Sequence, residues 1–227
     1  MPIRVILAAA LLGLAASACR SAAPPAPIAS APPAIAAAGS FPFRTANFHS
    51  RVEIAGHTPV EMRVWISGDG IREELRDGGA VAHSIKRRSD VYRWTEGEKR
   101  GIRGPASGWK LLDFPDTLDL MRELPFDLSK EHAGSPVREK LDGIDTWRYD
   151  FKREDRRNFE SHAGTVWLLS DRAFPVRYVN RGYSGPYEIR NSDWKFDLPI
   201  PAAFFEPPSD VRFFEFQPDI GRRPPRR

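Results

Sequence analysis

The sequence predicts a mainly β domain in which an antiparallel sheet is closed or half-closed on itself. Apolar and polar residues alternate with a period of two along most of the chain, which is typical of strands with one buried face. Turn-forming Gly and Asp residues recur at a spacing of roughly 8–12 residues, so about ten strands are expected. One segment in the middle of the chain has helical spacing and predicts a single short helix.

The first half of the domain reads as a strand followed by a series of hairpins. FPFRTANFHSRVEIAG is predicted to be the first strand, and VEMRVWIS, the tight turn SGDG and IREEL form a hairpin. After DGG, the segment AVAHSIKRR places Val81, His83 and Ile85 in one apolar phase. DVYRWTEGEK and the short GIRG predict a further strand pair around Gly97.

The second half repeats this pattern. SPVREKLDGIDTWRYDF predicts two strands about Asp142 and Gly143, and GTVWLLSDRAFPVRYV predicts two more about Ser170 and Asp171. PYEIRNSDWKFDL closes the series. The alternation therefore extends to residue 198, with one interruption.

The interruption is FPDTLDLMRELPFDL, which predicts a helix over residues 116–125. Asp116 suits the N-cap, the apolar residues that follow recur at helical spacing, and Pro125 ends the helix. Two interpretations stay open: the helix caps a solid core, or it is a lid over a cavity.

The N-terminus predicts a signal peptide over residues 1–18. MPIR supplies a positive charge, and the apolar run after it is shorter than the roughly 20 residues that a spanning helix needs. Ala16-Ser17-Ala18-Cys19 resembles the bacterial lipobox, which implies acylation of Cys19, for example with palmitate. The alternative is an ordinary secretory peptide. Since Cys19 is the only cysteine, an intrachain disulfide is excluded.

The folded part of the chain is predicted to span residues 41–217. Residues 19–40 are almost entirely Ala, Pro and Ser and predict an extended tether. Residues 218–227 predict an Arg/Pro-rich disordered tail. The chain carries a net charge of +4, but Arg4, Arg20 and the tail account for all of it. The domain is close to neutral, which does not favour nucleic-acid binding.

No motif for catalysis or metal binding is present in the sequence. The five histidines fall singly, without metal-ligand spacing, and the single cysteine lies near none of them. Gly182-Tyr183-Ser184-Gly185 lacks the spacing of a nucleophile elbow. We therefore expect a protein that is not an enzyme and that uses no metal or other cofactor.

FEPPSDV, MRVWISGDGIREEL and GTVWLLSDRAFPVRYV are three stretches that together resemble the LolA/LolB-like superfamily of lipoprotein carriers and receptors. FEPPSDV at 205–211 resembles its closing F-x-P-P-x-G-V, with Asp210 where Gly is usual. MRVWISGDGIREEL and GTVWLLSDRAFPVRYV resemble two of its hairpins. The resemblance covers about residues 41–213 and implies a half-barrel with the 116–125 helix as lid. With the lipobox, it points to lipid-anchored members.

The resemblance implies a periplasm-facing binding module that holds an acyl chain, a lipid or a lipoprotein in an apolar cavity. Arg20, directly after the acylated cysteine, favours the outer membrane; the inner membrane and secretion are the alternatives. The candidate ligand-binding residues, each of which equally suits a solid core, are Met62, Val64, Ile66, Trp147, Tyr149, Trp167 and Leu169 from strands and Leu120, Met121 and Leu124 from the helix.

A second hypothesis is a structural or sensory envelope protein that binds a protein partner through the outer face of a solid barrel. Trp65, predicted to be exposed on the polar phase of its strand, and the Arg-rich tail favour it. The sequence indicates neither the ligand nor the oligomeric state.

Overall fold

The computed structural model describes residues 31–33, 41–77, 79–106, 135–155, 160–181 and 185–216. The predicted signal peptide, Cys19, the 116–125 helix and the 218–227 tail lie outside these residues. The strands of the described part are β1 (Ala46–Ile54), β2 (Val60–Ser67), β3 (Gly70–Asp77), β4 (Ala80–Arg87), β5 (Asp90–Thr95), β6 (Arg100–Pro105), β7 (Val137–Leu141), β8 (Ile144–Asp155), β9 (Glu160–Leu169), β10 (Pro175–Asn180), β11 (Tyr187–Phe196) and β12 (Arg212–Glu215).

These strands form one sheet of twelve, in the order β12, β6, β5, β4, β3, β2, β1, β11, β10, β9, β8 and β7. The sheet is a curved half-barrel and is not closed, which confirms the predicted fold class. Two details differ from the prediction. The described residues form twelve strands rather than about ten, and β12 pairs with β6 in parallel, so the sheet is mixed rather than purely antiparallel.

The short turns lie where the sequence predicts them. Asp142 and Gly143 connect β7 to β8 and both have positive φ, at 51° and 83°. This is the backbone that a two-residue type I′ hairpin turn requires, and Asp-Gly is among the few pairs that adopt it without strain. The turn therefore determines the register of β7 on β8.

One face of the sheet, here called the inner face, carries the main hydrophobic core. Side chains of β1, β2 and β8–β11 meet there because the curved sheet brings both halves together. Phe174, which has no exposed surface, contacts Phe48 and Phe196 at ring-centroid distances of 5.1 and 5.0 Å. Aromatic rings thus fill the space between strands that are distant in the sequence.

The opposite, outer face of β2–β6 carries a second apolar cluster. After β11 the chain crosses this face, forms a 3-10 helix (Ala202–Phe205) and ends the described region as β12. Phe205 is fully buried, and Phe204 lies 5.3 Å from Trp65. Phe213 contacts Tyr92 at 5.3 Å. The C-terminal segment therefore covers β2 and β3, which also contribute to the main core, and β4–β6, which do not.

Replacing Phe174 with Ala tests how far the aromatic core stabilises the fold. We expect Phe174→Ala to lower the free energy of unfolding by about 3–5 kcal/mol, because the substitution opens a cavity that the curved sheet cannot close. The matched control is Phe214→Ala, since Phe214 is 42% exposed and should cost much less. Urea unfolding of both variants measures the difference, and equal losses would contradict this account of the core.

Candidate ligand-binding cavity

The inner faces of β3–β6 and β12 continue the sheet beyond the main core. In the strand register, Met62 of the core faces Leu75, and Leu75 faces Ala82. A neighbouring row runs from Ser84 through Arg93 and Ile102 to Phe214. Since residues directly opposite each other share a face, both rows belong to the inner surface.

A cavity of about 450 Å³ lies at this end of the sheet. Apolar side chains of Leu75, Ala82, Ile102 and Phe214 contribute to its lining, together with Arg93. Ile102 is 39% exposed although it belongs to a strand in the sheet. The volume lies in the range of pockets that hold small molecules. An apolar ligand could therefore cover side chains that the protein leaves open to solvent.

Arg93 is a charged group in the wall of the cavity. Burial of the guanidinium lowers the pKa of Arg93, and the carboxylate of Glu73 opposes this shift. Glu73 is itself buried and lies in the same row of side chains. Ser84 of β4 lies between Glu73 of β3 and Arg93 of β5. The charge of Arg93 is thus compensated within the sheet. Glu98 and Arg100 line the cavity from the turn after β5 and the start of β6.

Behind the cavity, the outer face is supported by His83 and Trp94. Their rings stack at 4.9 Å, and the guanidinium of Arg72 lies 6.0 Å from the centroid of Trp94. The Nδ1 atom of His83 is 3.5 Å from a carboxylate oxygen of Glu74. Burial lowers the pKa of His83, the Glu74 carboxylate raises it, and the Arg72 charge lowers it again. These contacts keep the neutral imidazole against the indole ring.

The structure places the predicted ligand-binding residues of the strands in the protein interior, outside the cavity lining. All seven are less than 10% exposed, and six belong to the inner core cluster. The seventh, Trp167, lies on the outer face, where its Nε1 donates a hydrogen bond to Glu139 at 2.6 Å and Arg177 covers its ring at 5.0 Å. Leu120, Met121 and Leu124 lie outside the described residues. A ligand-binding role for these ten residues stays a prediction.

Trp65 is not exposed, although its position on the polar phase of the strand predicts exposure. The structure places it half-buried beneath Phe204, with the guanidinium of Arg63 at 5.7 Å from its ring. The C-terminal segment, which crosses the outer face here, is the physical reason. Trp65 therefore does not support a partner-binding site on the outer face.

The residues that line the cavity were not found from the sequence. Arg93 and Thr95 alternate with the aromatic Tyr92 and Trp94, so the aromatic phase looks like the inward one. In the structure the aromatic phase faces outward and is covered by the C-terminal segment. The signal that the sequence does give is the position of Ile102 and Phe214, two apolar residues on short segments that also contain arginine.

Within the described ranges, no group of His, Cys, Asp and Glu side chains is arranged to hold a metal ion. Among the same residues, no helix has the length and apolar character required to cross a membrane.

Solved structures with a similar strand arrangement include a LolA superfamily protein from Nitrosomonas europaea. It is 14% identical, with 72% of this chain and 89% of that chain covered and a TM-score of 0.40. A DUF1329 family protein from Desulfovibrio piger is 12% identical, with 74% and 91% covered and a TM-score of 0.34. The first of these bears the name of the superfamily that the sequence resembles.

A third similar structure is a chain of the MucA/MucB complex of Pseudomonas aeruginosa. It is 12% identical, with 74% of this chain covered and a TM-score of 0.47. The present chain spans 57% of the length of that one. No protein-family model matches the sequence, and no curated protein matches it.

The environment of His83 predicts a pH dependence of stability. Because burial lowers the pKa of His83 below the ordinary histidine value of about 6.5, the unfolded chain takes up this proton at a higher pH than the folded protein. The stability due to neutral His83 is present above about pH 6.5 and is lost as the pH falls below it. We expect wild type to lose more stability than His83→Gln between pH 8 and pH 5 in urea titrations. A constant difference between the two would contradict this.

Proposed function

We propose that the protein is a lipid-anchored envelope protein that binds a hydrophobic ligand on the inner face of its half-barrel and catalyses no reaction. The observation that carries the proposal is the cavity of about 450 Å³ with exposed Ile102 and Phe214 in its wall. Burial of apolar surface contributes about 25 cal/mol per Å² without directional chemistry, so shape and area decide binding. An acyl chain, free or attached to a lipid or lipoprotein, fits this requirement.

The position of the cavity supports a ligand that extends toward the main core. Leu75 belongs to the cavity wall and lies directly opposite Met62, one of the buried core residues. A long chain would lie along the row of Leu75 and Ala82 and end against the core. The predicted residues of β2 and β8–β9 would then form the closed end of the site.

The proposed anchor is Cys19, followed by a tether over residues 19–40. One acyl chain binds a bilayer weakly, whereas two or three bind it stably, at about 0.8 kcal/mol per buried CH₂. Such an anchor would keep the domain at the periplasmic surface of the outer membrane, within reach of lipids and lipoproteins. Binding of a protein partner, the second hypothesis, stays a prediction without a contact that favours it.

The cavity is tested by filling it with a larger side chain. We expect Ala82→Trp to abolish saturable binding of the neutral probe N-phenyl-1-naphthylamine, because the indole occupies the space that the probe needs. All the chains compared, including the reference, also carry Cys19→Ser, so that no acyl chain is attached, and binding is followed by fluorescence. Ala55→Trp is the matched control, since Ala55 is exposed in the turn between β1 and β2. No binding to wild type, or equal binding to both variants, would overturn the proposal.

The anchor is tested independently with Cys19→Ser. We expect wild type to incorporate labelled palmitate and to sediment with membranes, whereas the variant should incorporate none, because no other cysteine is present. Ser21→Ala, a change in the tether, serves as control. Mass spectrometry that finds an unmodified Cys19 in the mature wild-type protein would refute the anchor.

A further inference from the structure

The rim of the cavity is positively charged. Arg100 and Arg212 are register partners on the parallel strands β6 and β12, next to the pair of Ile102 and Phe214. Both arginines are exposed, and the guanidinium of Arg212 lies 5.1 Å from the centroid of Phe214. Two like charges directly opposite each other destabilise a sheet unless something compensates them.

Two carboxylates near these arginines are bound to other cations, whereas Glu98, which also lines the cavity, forms no ion pair among the described residues. Asp210 pairs with Lys99 at 2.5 Å, and Glu215 pairs with Arg103 at 2.7 Å on the opposite face of β6. Among the residues that the structure describes, no ion pair joins Arg100 or Arg212 to a carboxylate. Deeper in the cavity, Arg93 has Glu73 as its counter-charge. These ion pairs therefore leave the charges of Arg100 and Arg212 at the rim without a bound carboxylate, and most of the wall between the rim and Leu75 is apolar.

We propose that Arg100 and Arg212 bind the anionic headgroup of an amphiphile whose hydrocarbon chain lies in the cavity. The inference rests on the proposed function and specifies the class of ligand. A carboxylate or phosphate monoester between the two guanidinium groups would neutralise their repulsion and accept charge-assisted hydrogen bonds from both. The chain would then lie on Phe214 and Ile102 and extend toward Leu75.

The geometry excludes the opposite charge preference. A cationic headgroup at the same position would meet two guanidinium groups, and a neutral hydroxyl would leave their repulsion unchanged. Because the rim is exposed to solvent, the expected gain is moderate and depends on ionic strength. The inner cavity would bind the chains of all three amphiphiles alike.

The test is competition against N-phenyl-1-naphthylamine by dodecyl phosphate, dodecanol and dodecyltrimethylammonium, each below its micellar concentration. We expect dodecyl phosphate to displace the probe from the full wild-type chain at an about five- to tenfold lower concentration than dodecanol at low salt. In the double variant Arg100→Gln/Arg212→Gln this preference should fall below about twofold, with dodecanol unaffected. The control, Arg51→Gln/Arg190→Gln, removes two exposed arginines from the outer face and should keep the full preference.

The outcomes separate the two proposals. If the probe binds and dodecanol displaces it as well as dodecyl phosphate does, the headgroup inference is overturned and the cavity stands. If the preference persists in the Arg100/Arg212 double variant, or if dodecyltrimethylammonium binds best, the assignment of the rim is wrong. If the probe does not bind at all, the proposed function itself fails.

Discussion

The contact on which the rest of the structure depends is that between the C-terminal segment and the outer face of β2–β6. Phe205 is fully buried there, and Phe204 covers Trp65. A Cβ at position 101 would lie 2.6 Å from the Phe213 ring, so glycine at this position leaves the space that Phe213 occupies. The outer face thus supplies the apolar burial that these strands need, and the inner face of β4–β6 is free to line a cavity.

The two halves of the half-barrel therefore have different roles. In β1, β2 and β8–β11, the inner face forms the main core and the outer face carries ion pairs such as Arg177 with Glu188 at 2.8 Å. In β3–β6 the aromatic residues face outward, and the inner face contains arginines among apolar side chains. One sheet with two opposite burial patterns can be both a stable scaffold and a binding surface.

This division explains how much the sequence could predict. The period-two pattern and turns such as Asp142-Gly143 are local, and they indicated the strands and hairpins correctly. Which phase faces the core is not local, because it depends on what covers each face. The sequence predicts His83 and Ile85 on one apolar phase, yet the segment that packs against their strand, the 3-10 helix, lies more than a hundred residues away. Trp167 shows the converse, since Glu139 and Arg177 satisfy it on a polar face.

The energetics of such a cavity favour reversible binding. A hydrocarbon chain that loses about 200–300 Å² of accessible surface gains about 5–7.5 kcal/mol, while association costs at least about 4 kcal/mol of translational and rotational freedom. The apolar wall alone would therefore give weak affinity, and the proposed headgroup contact at Arg100 and Arg212 would decide which amphiphiles are bound. A site of this kind can release its ligand to a membrane, where the chain is buried more completely. Weak burial with a selective rim suits transient binding better than storage.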